Sequence, residues 1–269
     1  SSAASDVYKR QGELFPKMTK RVISVFLCVL CVISSISFIV SAKENKEYTS
    51  DNFLSVADGI IAWKKADNGS EPDGYLINDK YLENAGTTPG DWYPIALGRL
   101  GIQDNNEGYL AVIKDRVEER YRESGRLSAA KATEWHRIAL AVLAMGGDPT
   151  NFGTDENGAP INLIADGTYD RGKTTPLGRQ GINGWIWGLI TLDSMRYAVP
   201  DGAYNTRDDI IVEIISKQLS DGGFALSSDD ADPDITAMAI TALAPYYNSE
   251  KTYSYPVSYT HLRAHETVL

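Results

Sequence analysis

Thiols and imidazoles are nearly missing from this chain. Its 269 residues hold two cysteines and three histidines. Both cysteines, Cys28 and Cys31, fall in the apolar stretch Val22–Val40. From Lys43 onward there is none, which excludes disulfides and thiolate metal ligands from that part. His261 and His265 sit close to the C-terminus, so His136 alone serves the body of the chain. The G-x-S-x-G pattern of a nucleophile elbow is also missing. No run of alternating apolar and polar residues signals a sheet.

Positive charge is short as well. Lys and Arg number 26 against 36 Asp and Glu, a net charge of −10. That balance excludes nucleic acid and an anionic membrane surface as partners. It suits a soluble extracellular protein.

Two end segments share no periodicity with their neighbours. Ser1–Lys17, with SDVYKRQ, and Pro256–Leu269, reading PVSYTHLRAHETVL, resemble translated adapter sequence and are set aside as foreign tails. Met18, Lys20 and Arg21 then make a short basic start, followed by the apolar run to Val40 and the small-residue site Val40-Ser41-Ala42. Residues 18–42 therefore read as a secretory signal peptide, with an uncleaved membrane anchor as the other reading. The expectation is a protein that is secreted or held at the cell surface, touching membrane only through this segment if it stays uncleaved. Residues 43–255 form one truncated domain, with a further C-terminal domain expected beyond it.

Internal repeats organise that domain. DWYPIALGRLG from Asp91, EWHRIALAVLAMG from Glu134, GWIWGLITLDSM from Gly184 and DITAMAITALAPYY from Asp234 align, with Trp92, Trp135, Trp185 and Ile235 at one position. Each is apolar nearly all round, as a helix buried on all sides requires. Between them lie charged amphipathic helices starting at Asp51, Glu107 and Arg207. In the last, Ile210, Ile211, Ile214, Ile215 and Leu219 share a face. Gly and Asp clusters punctuate the junctions. The fold class is all-α, built of paired inner and outer helices. Periodicity alone leaves an open solenoid and a closed ring as alternatives.

The stretch QLSDGGF from Gln218 resembles the Q-x-x-x-G-x-W repeat signature of squalene and other terpenoid cyclases, with Phe224 in place of Trp. The surrounding region is similar to secreted bacterial prenyltransferase/squalene-oxidase-repeat proteins, specifically over Arg207–Tyr247 and more weakly back to Asp51. This resemblance implies an α/α toroid, incomplete here. The motif also has a local physical reading. Gln218 can bond backbone at the next turn, Gly222 or Gly223 can take positive φ, and Phe224 can pack against the turn.

Asp221, Asp229, Asp230, Asp232 and Asp234 crowd the last inner helix. In terpenoid cyclases a D-x-D-D-T-A stretch opens an inner helix and supplies the proton donor. The resemblance makes Asp230 and Asp232 the candidate acids, though Pro233 and Ile235 break the pattern. A proton donor needs burial. Asp234, just ahead of the helix, reads instead as an N-cap whose bonds favour its ionised form. Capping, ligand contact and acid catalysis stay open for the cluster. A D-D-x-x-D magnesium site fails at Pro233, and the zinc site of protein prenyltransferases needs a Cys, so no metal is expected. The turn-like TDENGAP from Thr154 lacks the ligand spacing of a calcium loop.

DITAMA from Asp234 is also similar to the helix start of cobalamin carriers, which makes a corrinoid the one cofactor-like ligand the sequence suggests. The recurring aromatics are the other candidates. Trp92, Trp135, His136, Trp185, Trp187 and Asp234 would meet at one rim if the inner helices run parallel. There they could stack on a small apolar or planar ligand, or on sugars. Packing of each Trp on its neighbouring repeat is the alternative. Three functions follow: a binding module, a cyclase-like enzyme, and a structural repeat of a larger surface protein.

Overall fold

The computed structural model describes residues 50–171 and 175–247. The foreign-looking tails, the signal segment 18–42 and the histidines His261 and His265 lie outside the described residues. The chain divides between Gly59 and Ile60, within its first described helix. The account below concerns the unit from Ile60 onward.

The described residues form nine α-helices: α1 (Ser50–Asn68), α2 (Asp79–Leu82), α3 (Thr88–Leu100), α4 (Asn106–Ser124), α5 (Thr133–Ala144), α6 (Leu163–Gly167), α7 (Ile182–Asp193), α8 (Arg207–Ile215) and α9 (Pro233–Leu243). No strand forms among them. One isolated antiparallel bridge joins Thr154 to Pro160. The all-α expectation holds for the described residues.

Local chemistry sets the helix ends. Asn105 opens α4 by accepting from the Gly108 amide at 3.2 Å. Thr206 and Asp209 open α8 with a reciprocal capping box. Gly101 and Gly125 close α3 and α4 in the left-handed region, at φ 69° and 65°. Along α4, Tyr109, Ile113, Val117 and Tyr121 recur every four residues and are buried, while the charged residues between them are not.

In α8 the four isoleucines are buried as their spacing requires. Leu219 does not extend that face, because the helix ends at Ile215. The chain then turns through the Gln218–Phe224 motif. Gln218 Nε2 donates to the Gly222 carbonyl at 2.8 Å, and Gly222 takes φ 90°. Phe224 is buried and tied to Thr236, whose hydroxyl accepts from the Phe224 amide at 2.9 Å. The motif thereby fixes how α9 approaches α8.

Helices α3, α5, α7 and α9 pack in chain order, each against the next. The first two run parallel. Near their N-termini Arg137 of α5 donates to the Thr88 hydroxyl of α3. Near their C-termini a Cβ on Gly98 would lie 2.1 Å from the Ala144 carbonyl, so the backbones touch there and only glycine fits. Inner helices were expected to be buried all round. Helices α5 and α7 come nearest to that, with buried and half-buried residues and none exposed. Helices α3 and α9 keep exposed stripes, including Trp92 and Ala96 on α3 and Ala237 and Ile240 on α9. They are the outermost members of the row and have a neighbouring inner helix on one side only.

The alternation of inner and outer helices lapses between α5 and α7. The five-residue α6 and a short 3-10 turn, Leu177–Gln180, stand there instead. The TDENGAP stretch is the turn its composition suggested: Asp155 Oδ1 accepts from the Asn157 and Ala159 amides at 2.8 and 2.9 Å.

Candidate functional site

The N-terminal turns of α3, α5 and α7 come together around a cleft of about 200 Å³. Helix α3 contributes Thr88 and Trp92. Helix α5 contributes Thr133, Glu134 and Arg137, with Lys131 just ahead of it. Helix α7 contributes Asn183 and Trp187, with Gln180 just ahead. Trp92 and Trp187 face each other with ring centroids 5.5 Å apart and planes tilted by 57°.

Beneath the mouth runs a polar network. Arg137 Nε donates to Asp91 Oδ2 at 2.8 Å. Its Nη1 serves Thr88 Oγ1 and Glu134 Oε1, and its Nη2 serves the Gly86 carbonyl and Glu134 Oε2. All five guanidinium N–H groups are thus used. Asp91, fully buried, also accepts at Oδ1 from the Tyr109 hydroxyl and the Gly86 amide, both at 2.7 Å. Burial raises the Asp91 carboxyl above its ordinary pKa, although its donors pull the other way. Three donors converge on this carboxyl, from Arg137, Tyr109 and Gly86, and Tyr109 beside it is pushed well above the usual phenol range, mainly by burial. Burial works to raise Glu134 too, but the bonds from Arg137 and Arg120 outweigh it and hold this carboxyl below its ordinary value.

Other groups at the cleft are unspent. Asn183 Oδ1 is buried and has no hydrogen-bond partner. Gln180 Oε1 accepts from the Thr133 hydroxyl at 3.0 Å, which leaves its NH2 directed elsewhere. Lys131 is exposed and makes no ion pair with the described residues.

The sequence-derived rim is brought together only in part. Trp92 and Trp187 line the cleft. Trp135 does not: it is 2% exposed, its Nε1 donates to the Tyr121 hydroxyl at 2.7 Å, and the Arg171 guanidinium lies 3.8 Å above its ring. His136 is equally buried. Its Nε2 meets the Gly167 carbonyl at 2.7 Å, and burial depresses its pKa to about 4, so it is neutral. Trp185 is half-buried and lies across Gly178, where a Cβ would come within 2.3 Å of the indole nitrogen.

The aligned tryptophans are therefore not equivalent. Counted from each helix start, Trp92 is the fifth residue, Trp135 the third and Trp185 the fourth. The fifth residue of α5 is Arg137, and that residue shares the cleft with Trp92.

The acidic cluster also differs from expectation. Asp232, not Asp234, caps α9: its Oδ1 accepts from the Asp234 and Ile235 amides at 2.8 and 3.0 Å. Pro233 occupies the first helical position and moves the start two residues earlier than the sequence reading placed it. Asp234 is exposed in the first turn. Asp230 is exposed as well, and neither it nor Asp232 lines the cleft. A proton donor needs the burial that these positions lack. Among the described residues, no group of three or more His, Cys, Asp or Glu side chains is placed to hold a metal ion. No described helix is long and apolar enough to cross a membrane.

The sequence reading missed Asp91, Tyr109, Glu134 and Arg137. A weak signal existed, since Asp91 and Glu134 precede Trp92 and Trp135 in the repeats. No family model, curated protein or solved structure matches the chain.

Proposed function

We propose that this chain is a non-catalytic ligand-binding module of the α/α-toroid repeat class, exported to the surface of a bacterium or released from it. The observation that carries the binding reading is the cleft itself, where two indoles and several polar groups meet at the N-terminal turns of three helices. A pocket with aromatic walls and a few polar groups is the usual form of a small-molecule site. The toroid reading draws support from the chain-order row of α3, α5, α7 and α9 and from the Gln218–Phe224 turn.

Of the titratable groups that line the cleft, Glu134 and Arg137 are spent on each other and on their neighbours, which leaves Lys131. Glu134 has both oxygens engaged by arginines, and Arg137 has no spare donor. For the same reason a diphosphate is a poor fit, because its charge would meet Lys131 alone.

The test is a titration followed through the indole N–H resonances of Trp92 and Trp187, assigned by substitution. Farnesol, cyanocobalamin and a set of neutral sugars serve as probes. At least one should move both resonances while leaving Trp135 still. If every probe leaves both in place, the cleft is not a binding site and the module reading fails.

A further inference from the structure

Three Asn-Gly steps occur among the described residues, Asn68-Gly69, Asn157-Gly158 and Asn183-Gly184, and the fold treats them differently. We propose that Asn157 is a site of spontaneous modification: the Gly158 amide attacks its side chain, ammonia leaves, and aspartate and isoaspartate accumulate in the turn 154–160.

The chemistry needs no partner but water. The Gly158 nitrogen gives up its proton to solvent base and bonds to Asn157 Cγ. The Cγ–Nδ2 bond breaks, and the side-chain nitrogen leaves as ammonia. The five-membered succinimide that results has two carbonyls. Water opens it at the former side-chain carbonyl to give aspartate, or at the backbone carbonyl to give isoaspartate. Glycine in the second position has no Cβ to shield its nitrogen. Two requirements remain. The asparagine side chain must be free to swing over the next amide, and the peptide unit between the two residues must be free to rotate.

Asn183 meets neither requirement. It is the second residue of α7 and half-buried. A Cβ on Gly184 would lie 2.0 Å from the Leu177 carbonyl, so the backbone there has no room to turn. Asn68 ends α1. Its Nδ2 donates to the Leu76 carbonyl at 3.2 Å, and its own carbonyl accepts from Asn78 Nδ2 at 3.4 Å. Side chain and peptide unit are both tied.

Asn157 is exposed on its turn. Among the described residues it bonds through its backbone amide, to Asp155 Oδ1 at 2.8 Å, and not through its side chain. Gly158 has φ 78°, and a Cβ placed on it would meet nothing within 4 Å. One bond holds the reacting amide, from Gly158 N to the Asp155 carbonyl at 3.1 Å. On an exposed turn water can replace it.

The products alter this turn. Both add a negative charge to a chain whose net charge is −10. Isoaspartate also routes the backbone through Cγ and lengthens it by one carbon. That shifts the Ala159 amide, which Asp155 Oδ1 accepts at 2.9 Å.

The experiment incubates the folded chain at mildly alkaline pH and follows the three peptides by mass spectrometry. Isoaspartate is identified by its electron-transfer fragments, and released ammonia is assayed in parallel. Asn157 should convert at least about tenfold faster than Asn68 or Asn183, and its rate should rise with pH. Asn157→Gln should hold its anion-exchange elution while the parent drifts later, because a glutamine would have to close a six-membered ring. In urea the three sites should approach a common rate. Conversion of Asn68 or Asn183 ahead of Asn157 would overturn the proposal. So would an unchanged Asn157 after a free peptide of residues 154–160 has reacted. A ranking that persists in urea also overturns it, since local sequence and not the fold would then set the order.

Discussion

Arg137 Nε donates to Asp91 Oδ2 at 2.8 Å, joining two helices across 46 residues of chain and forming the floor of the cleft. Both side chains are almost wholly removed from solvent, at 7% and 0% exposure. A pair this deep contributes little net stability over an apolar substitute, but breaking it strands a charge. Arg137→Met should therefore cost about 3–5 kcal/mol, read as a lower urea midpoint at unchanged slope. Asp91→Leu in the same chain should recover part of the loss and no more, because the Tyr109 hydroxyl and the Gly86 amide then lose their acceptor. An Arg137→Met variant as stable as the parent would show that the pair is not formed.

Trp135 belongs to the core, and its substitution should be felt there. Trp135→Phe leaves the Tyr121 hydroxyl without its indole donor and should cost about 1–3 kcal/mol. Trp135→Ala should cost about 3–5 kcal/mol through the cavity it creates. Ligand affinity at the cleft, measured at a temperature where Trp135→Phe is still folded, should stay within twofold or so of the parent. A large affinity loss with little change in Tm would return Trp135 to the rim.

The cap of α9 can be located by a pair of substitutions. Asp232→Ala removes the acceptor for two amides and should cost about 0.5–2 kcal/mol, whereas Asp232→Asn should cost much less. Asp234→Ala should move the thermal midpoint by less than Asp232→Ala does. Equal effects at the two positions would contradict the observed cap.

His136 makes stability depend on pH. Its imidazole titrates near 6.5 when unfolded and at about 4 in the fold, because burial opposes its charge. The neutral form is favoured in the folded state. Its contribution is therefore full above pH 6.5 and is lost as pH falls through the interval down to about 4. The loss amounts to about 3 kcal/mol at the lower limit. His136→Gln keeps a donor for the Gly167 carbonyl but does not titrate. Compared with this variant, the parent should lose stability more steeply from pH 6.5 to 4, measured by thermal melts. Parallel profiles would mean that His136 protonates freely in the folded protein.

Much of the local structure was legible in the sequence because its causes are local. The 3.6-residue period placed α4 and α8, the isoleucines of α8 declared their buried face, and Gln218, Gly222 and Phe224 announced the turn into α9. Even the misplaced cap of α9 erred by only two positions, since Asp232 and Asp234 are both plausible acceptors and Pro233 decided between them.

What the tertiary structure decided was rotation and partnership. Trp92 and Trp135 align in the repeats, yet their helices start at different points, so one is the fifth residue and the other the third. Two residues of α-helix turn a side chain by about 200°. That rotation sends one indole to the cleft and the other into the core. Arg137 takes the position opposite Trp92, and its five donors find Asp91, Glu134, Thr88 and Gly86. Periodicity declares that a helix has a buried side. Where that side meets the next helix depends on the backbone contact at Gly98 and Ala144 and on the turn preceding each helix. The residues of the cleft, spread from Thr88 to Trp187, become neighbours only through that packing.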